Sequence, residues 1–214
     1  MSIKRSLYLD KEYWGGGFYE LVFEYSPGGS EEHLQKALDT LWTSPQLQGP
    51  WLDREDLGNP PVQISVEPWR MYGLLTLPEN KSVGCVTFTR REEDGSGWLD
   101  FSVPTAMLAG LDWYYDKTMD TSYSPRLKLV DATYAEIADR VYRETPFQFA
   151  ELGFEVSGGH DQTTLTAGQI LASRGYSGYL LPPELYARLA DTDFGAVTTL
   201  PSGLVWIPRV TLNV

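Results

Sequence analysis

The sequence predicts an α+β protein with a mostly antiparallel twisted sheet and about four to five helices packed on one face. Three observations indicate this class. Segments that alternate between apolar and polar residues, as strands do, are interspersed with segments of helical periodicity. Several strand segments follow one another with only short turns between them. Hydrophobic residues make up 42% of the 214-residue chain, which is enough for a buried core.

A strand–turn–helix unit is the clearest local pattern in the first half. Residues 19–25 alternate between apolar and polar side chains, which predicts a half-buried strand. Ser30 is a typical helix N-cap residue. Behind it, apolar residues recur on one helical face: Leu34, Ala37, Leu38, Leu41 and Trp42. Proline and glycine are then so frequent that residues 44–61 are predicted to form a loop.

A meander of strands is predicted next, at 62–67, 70–77, 82–90 and 97–103. Pro104 suits the first position of a helix, and apolar residues follow it at helical spacing as far as Tyr115. This segment therefore predicts several strands followed by a helix.

The second half repeats the alternation of strands and helices. A short strand is predicted at 127–130, followed by a helix that begins at a capping box of Thr133 and Glu136, and then by a strand at 147–156. The strand–helix–strand order near 19–67 thus recurs, which raises the alternative of two similar α+β halves.

The last part of the chain is predicted to contain two short helices and a hairpin. Thr166 and Gln169 form a second capping box, and a strand is predicted at 176–181. Pro182 and Pro183 open another helix. The final hairpin pairs 195–200 with 203–212 across a turn that contains proline and glycine.

The length suits one domain, and we expect residues 1–214 to form a single compact unit. If the chain is divided, the best boundary is the polar segment that ends at Pro125. It would separate an N-terminal half, 1–116, from a C-terminal half, 126–214.

The charge composition argues against nucleic acid as a partner. The chain has 17 basic and 29 acidic residues, a net charge of −12, and no cluster of basic residues that could neutralise phosphates. No apolar run is long enough for a membrane helix, and no export signal is visible. With a single cysteine, Cys85, these features lead us to expect a soluble cytoplasmic protein.

Residues suited to catalysis or metal binding are scarce. The chain has two histidines, His33 and His160, and one cysteine, so we predict neither a metal site nor a cofactor. His33 is expected to be solvated or to cap its helix. His160 and Asp161 are the only weak catalytic candidates. They follow Gly158-Gly159 after a predicted strand, where glycine lets the backbone approach a ligand.

Aromatic residues are the most informative feature for function. Trp113, Tyr114 and Tyr115 are consecutive and are flanked by Asp112 and Asp116. Successive residues of a helix point about 100° apart, so at least one of these rings should lie near the surface. Exposed Trp and Tyr beside carboxylates suit a protein interface, and these five residues are the predicted binding site.

The sequence therefore favours an acidic binding or interaction protein over an enzyme. Its partner would be a protein, or a second copy of the chain in a homo-oligomer. An inhibitor or immunity-like partner of a basic protein has this physical character. The alternative is a small-molecule enzyme or ligand-binding domain with a pocket around His160 and Asp161.

Overall fold

The computed structural model describes residues 8–25, 30–67, 69–91, 93, 96–111, 126–156, 165–189 and 191–209. These ranges contain nine strands and five α-helices. The strands are β1 Phe18–Tyr25, β2 Leu47–Trp51, β3 Arg70–Leu77, β4 Lys81–Arg91, β5 Gly97–Pro104, β6 Phe149–Phe154, β7 Ser177–Leu181, β8 Thr198–Thr199 and β9 Val205–Ile207. The helices are α1 Glu31–Trp42, α2 Thr105–Gly110, α3 Leu127–Glu144, α4 Ala167–Ser173 and α5 Pro183–Arg188.

All nine strands belong to one sheet, in the order β2-β3-β4-β5-β1-β6-β7-β9-β8, and each pair of neighbours is antiparallel. The central strand is β1, where Phe23 lies opposite Leu99 of β5 and Ala150 of β6. The predicted α+β class, with a mostly antiparallel sheet and about five helices, is confirmed.

One face of the sheet carries the main core, and we call it the first face. Tyr19, Leu21 and Phe23 point into this core and are fully buried. The two longest helices, α1 and α3, cover it with their apolar stripes. Ser30 caps α1 as predicted, since its hydroxyl accepts a hydrogen bond from the backbone N–H of His33 at 3.2 Å.

The opposite side, which we call the second face, is also covered in part. Tyr179 and Leu181 of β7 pack there against Ile170 of α4 and Leu185 of α5, whereas Leu180 between them joins the main core. The helices therefore lie on both faces, and the expectation of helices on one face holds only for the two longest. The reason is that β7 is apolar on both sides, so both sides need a covering layer.

Four predictions differ from the structure. Residues 127–130, predicted as a strand, form the first turn of α3, so the second strand–helix–strand unit is not formed. Thr133 does not cap a helix, because its hydroxyl donates to the carbonyl of Leu129 at 2.8 Å inside α3.

The other differences concern the edge of the sheet. Residues 62–67 form no strand, and the N–H of Val66 donates to the side chain of Gln35 on α1 at 3.0 Å. Strand β2 lies within the predicted loop and pairs with β3, with Leu47 opposite Leu75. The proline and glycine of β2 are the reason why the sequence predicts a loop here. An edge strand tolerates these residues better than a central strand does.

Close packing between α1 and β3 depends on Gly73. A Cβ atom at this position would lie 2.4 Å from Cζ3 of Trp42 and 2.7 Å from the carbonyl oxygen of Gln48. We expect Gly73→Ala to lower the free energy of unfolding by about 1–3 kcal/mol, as overpacking of a core does. Urea unfolding would measure the change.

Gly168→Ala is the matched control, because a Cβ there meets only Oγ1 of Thr166 at 3.9 Å. If the Gly73→Ala protein were as stable as this control, the result would contradict the close packing of Gly73 against the indole of Trp42.

Candidate functional site

The binding and catalytic residues predicted from the sequence all lie outside the described residues: Asp112, Trp113, Tyr114, Tyr115, Asp116, His160 and Asp161. Their roles therefore stay predictions. Among the described residues, groups suited to binding are concentrated on the second face of the sheet and along its rim.

A continuous series of stacked side chains follows this face, and we call it the arginine–aromatic row: Arg54, Trp14, Tyr72, Arg70, Trp69, Phe88 and Phe18. At one end, the guanidinium of Arg54 lies 5.4 Å from the ring centroid of Trp14. The Trp14 ring meets Tyr72 edge-on, with 5.3 Å between centroids. The guanidinium of Arg70 lies 5.1 Å from the Tyr72 ring.

The row continues from Arg70 across β3 and β4. Arg70 also stacks on Trp69, 5.3 Å from its centroid, and the Trp69 ring lies 5.4 Å from Phe88. Phe88 in turn meets Phe18 of β1 at 6.1 Å. The register explains the contact at the strand pair, since Arg70 of β3 lies opposite Phe88 of β4. Antiparallel pairing thus brings together aromatic residues that are far apart in the sequence.

Trp69 is the most exposed aromatic ring of the row, with a relative accessibility of 60%. Arg70 is also exposed and, among the described residues, forms no ion pair, so its contacts are with the two rings. A cation over an exposed ring contributes about 0.5–1 kcal/mol. Trp69 is therefore a large accessible ring that its neighbours hold in place.

Carboxylates surround the Arg54 end of the row. Asp10 and Glu12 belong to the 3-10 helix at 11–14 and its cap, while Asp53, Glu55 and Asp56 belong to the 3-10 helix at 54–56 and its cap. The stacking of Arg54 on Trp14 joins these two turns. Leu52, beside them, is 50% exposed. We call these five carboxylates the acidic rim, and Leu52 directly precedes one of them, Asp53, in the chain.

Two buried carboxylates adjoin the row on the second face. Glu20 of β1 is 5% exposed and Asp100 of β5 is 7% exposed. Asp100 lies directly opposite Phe88, and Glu20 lies opposite Ser102. The hydroxyl of Ser102 donates to Asp100. Burial, together with the charge of Glu20, raises the pKa of Asp100 to about 8, so this side chain is mostly protonated at neutral pH.

A third buried carboxylate, Glu151 of β6, belongs to a separate hydrogen-bond network. The hydroxyl of Tyr179 donates to Oε1 of Glu151 at 3.0 Å and lies 2.6 Å from Oγ of Ser173. Burial raises the pKa of Tyr179, which keeps this phenol neutral. The network links β6, β7 and α4 to one another, and this structural role explains why its side chains are buried there.

The spacing of these acids does not favour a metal site. Asp100 and Glu151 both lie opposite Val22, one strand away on either side, so their backbones are about 10 Å apart. Within the described ranges, no group of three or more histidine, cysteine, aspartate or glutamate side chains could hold a metal ion.

The remaining sequence candidates have structural roles. Cys85 is fully buried in β4, and burial raises the pKa of its thiol well above the ordinary value, which disfavours the nucleophilic thiolate. The ring of His33 packs edge-on against Tyr25, with 5.3 Å between centroids. It is partly buried in this contact rather than fully solvated.

Sequence reasoning did not single out Trp69 or Asp100 as candidate functional residues. Trp69 lies just before a predicted strand, where a tryptophan is usually read as part of the core. Asp100 lies on the polar face of a predicted strand, where a carboxylate is usually read as solvated. A sequence signal was present at Trp69-Arg70, where an arginine directly follows a tryptophan. The similar stacking of Arg90 on Trp98 appears only in the structure, where the two residues lie opposite each other.

Comparisons with models of protein families, with curated proteins and with solved structures found no match. In the part of the chain that the structure describes, none of the helices combines the length and the apolar character needed to cross a membrane.

Proposed function

We propose that this protein acts in the cytoplasm by binding another protein, as an inhibitor or immunity-like partner, and that the arginine–aromatic row is its contact surface. The observation that carries the proposal is Trp69, a ring that is 60% exposed and yet supported by Phe88 and Arg70. Trp, Tyr and Arg contribute most of the binding energy in protein interfaces. A side chain that is already held in place loses little conformational freedom on binding.

A basic protein is the partner that fits best. The net charge of −12 attracts a basic molecule from a distance, and the acidic rim of the two 3-10 helices directs it toward the Arg54 end of the row. Complementary charges of this kind increase the association rate and favour the correct partner. The predicted site at Asp112–Asp116 has the same chemistry and stays part of the proposal.

Photo-crosslinking tests the contact and captures whichever protein lies against the row. A benzophenone side chain in place of Glu67, an exposed residue two positions before Trp69, should form one discrete adduct in living cells while leaving Trp69 in place. The same group at position 171 is the control, because Leu171 is 45% exposed but lies on α4, away from the row. Equal adducts at both positions, or none at position 67, would contradict the proposal. An adduct with a second copy of the chain would indicate that the row is the contact of a homo-oligomer and not of a basic partner.

With the captured partner purified, Trp69→Ala is expected to weaken binding by about 2 kcal/mol or more, roughly thirtyfold in Kd, as loss of a central aromatic anchor does. Leu171→Ala should leave Kd unchanged. Calorimetric titration would measure both, and circular dichroism would verify folding. The association rate should fall as NaCl is added, since the proposed attraction is electrostatic. A Kd that is the same for the two variants would exclude Trp69 as an anchor.

A second candidate function is the binding or conversion of a small molecule. His160 and Asp161 stay the residues proposed from the sequence. The described observation in favour is the pair of buried carboxylates, Glu20 and Asp100, with a raised pKa at Asp100. A metabolite that raises the melting temperature of the natural protein, and much less that of Asp100→Asn, would support this function. A library without such a compound would leave the protein-binding proposal as the better one.

A further inference from the structure

A groove on the far side of the main core contains a second concentration of functional groups, remote from the arginine–aromatic row. It lies between α1 and α3, and the cavity has a volume of about 400 Å³. Its lining residues are Thr40, Thr43, Arg140, Arg143 and Glu144. In a protein with a net charge of −12, a groove with two arginines needs a specific explanation.

Arg140 is the unusual residue in this groove. Its Nε atom is buried and finds no hydrogen-bond partner within the described ranges. Its nearest polar contact is made by Nη2, which lies 3.4 Å from Oγ1 of Thr43, long for a hydrogen bond. A buried donor without a partner costs free energy. An ion or ligand that accepts from this donor is one of the accepted reasons for such a group in a native protein.

The other charges of the groove are already matched. Glu144 pairs with Lys36 at 3.2 Å, and Arg143 pairs with Asp139 at 2.8 Å through Nη2. The guanidinium of Arg140 therefore supplies the excess positive charge of this groove.

The two threonines help to define what the groove can bind. The hydroxyl of Thr40 donates to the carbonyl of Lys36 at 2.8 Å, and that of Thr43 donates to the carbonyl of Asp39 at 2.9 Å. Their protons are thus used within α1, and their oxygens can only accept. The arginines are therefore the lining side chains that can donate to a ligand, and they favour a ligand with acceptor oxygens.

We propose that this groove binds a small oxyanion, with inorganic phosphate as the simplest example. One edge of a guanidinium presents Nε–H and one Nη–H in parallel, which matches two oxygens of a phosphate or carboxylate. Arg140 supplies that edge, and Arg143, three residues along the same helix, also lines the groove and can offer an N–H donor through Nη1. The anion satisfies the buried Nε of Arg140.

NMR spectroscopy of the arginine Nε–H groups tests this directly. Titration with sodium phosphate should shift the Arg140 signal in a saturable manner, while NaCl at equal ionic strength should not. A parallel titration with acetate distinguishes a phosphate site from a carboxylate site. An equal shift with chloride, or no saturation with either oxyanion, would overturn the proposal.

The variant Arg140→Lys tests whether phosphate binding requires the parallel donors of the guanidinium or only its positive charge. The variant keeps the positive charge but loses the two parallel donors, so the affinity for phosphate should fall at least about tenfold. Arg188→Lys, on the exposed end of α5, is the matched control and should bind as the natural protein does. Phosphate binding that is unchanged in Arg140→Lys would also overturn the proposal.

Discussion

Replacing Arg209 with methionine is expected to lower the free energy of unfolding by about 3–5 kcal/mol, because the change leaves a buried carboxylate without its cation. The carboxylate is Asp131 of α3. Nε of Arg209 donates to Oδ2 of Asp131 at 3.1 Å, and the side chains are 5% and 4% exposed. The hydroxyl of Tyr19 donates to Oδ1. Burial raises the pKa of Asp131, and the charge of Arg209 opposes that rise.

Urea unfolding at pH 7 would measure the loss. Arg188→Met is the matched control, since this guanidinium is exposed and its removal should change stability by less than about 0.5 kcal/mol. A double variant, Arg209→Met with Asp131→Asn, should recover part of the loss because no buried charge remains. If the double variant is no more stable than Arg209→Met, the effect comes from packing and not from charge.

The second large effect is a pH dependence that Asp100 creates. Its pKa is about 8 in the folded protein and about 3.9 in an unfolded chain. Below about pH 4 Asp100 is protonated in both the folded and the unfolded state, so its raised pKa does not lower the free energy of unfolding. Between about pH 4 and pH 8 the unfolded state releases the proton while the folded state keeps it, so the free energy of unfolding falls as the pH rises.

Asp100→Asn should remove this dependence, because the amide keeps the shape of the protonated carboxyl and still accepts from Ser102. We expect the variant to be more stable than the natural protein at pH 8, by on the order of a few kcal/mol, and similar to it at pH 4. Unfolding followed from pH 4 to pH 9 would measure both. Asp191→Asn, at an exposed carboxylate, should retain the natural pH dependence. Parallel curves for Asp100→Asn and the natural protein would refute the raised pKa.

These expectations could not have been made from local patterns. Glu20 and Glu24 have the same position in the alternation of β1, and the sequence assigns both to a polar face. In the structure Glu20 is 5% exposed, whereas Glu24 is only half-buried. Their surroundings depend on what lies across the strands, and Glu20 faces Ser102 and Gly153. A burial difference of this kind has no local signature.

Helix α3 shows a related limit. Four residues at 127–130 are compatible with a strand or a helix, because short apolar runs carry little periodicity. The next residue, Asp131, is buried on this helix and pairs with Arg209, which lies 78 positions away in the chain. A contact between such distant residues is invisible to any short window of sequence.

By itself, the sequence determined those features that depend on near neighbours in the chain. These include the strand at 19–25, the Ser30 cap, the capping box of Thr166 and Gln169 and the α+β class. Only the tertiary structure decided that Trp69 is exposed while Trp51 is buried, and that Asp100 is hidden from water. Periodicity and capping act over a few residues, whereas exposure and electrostatic environment arise from strands and helices that meet only after the chain has folded.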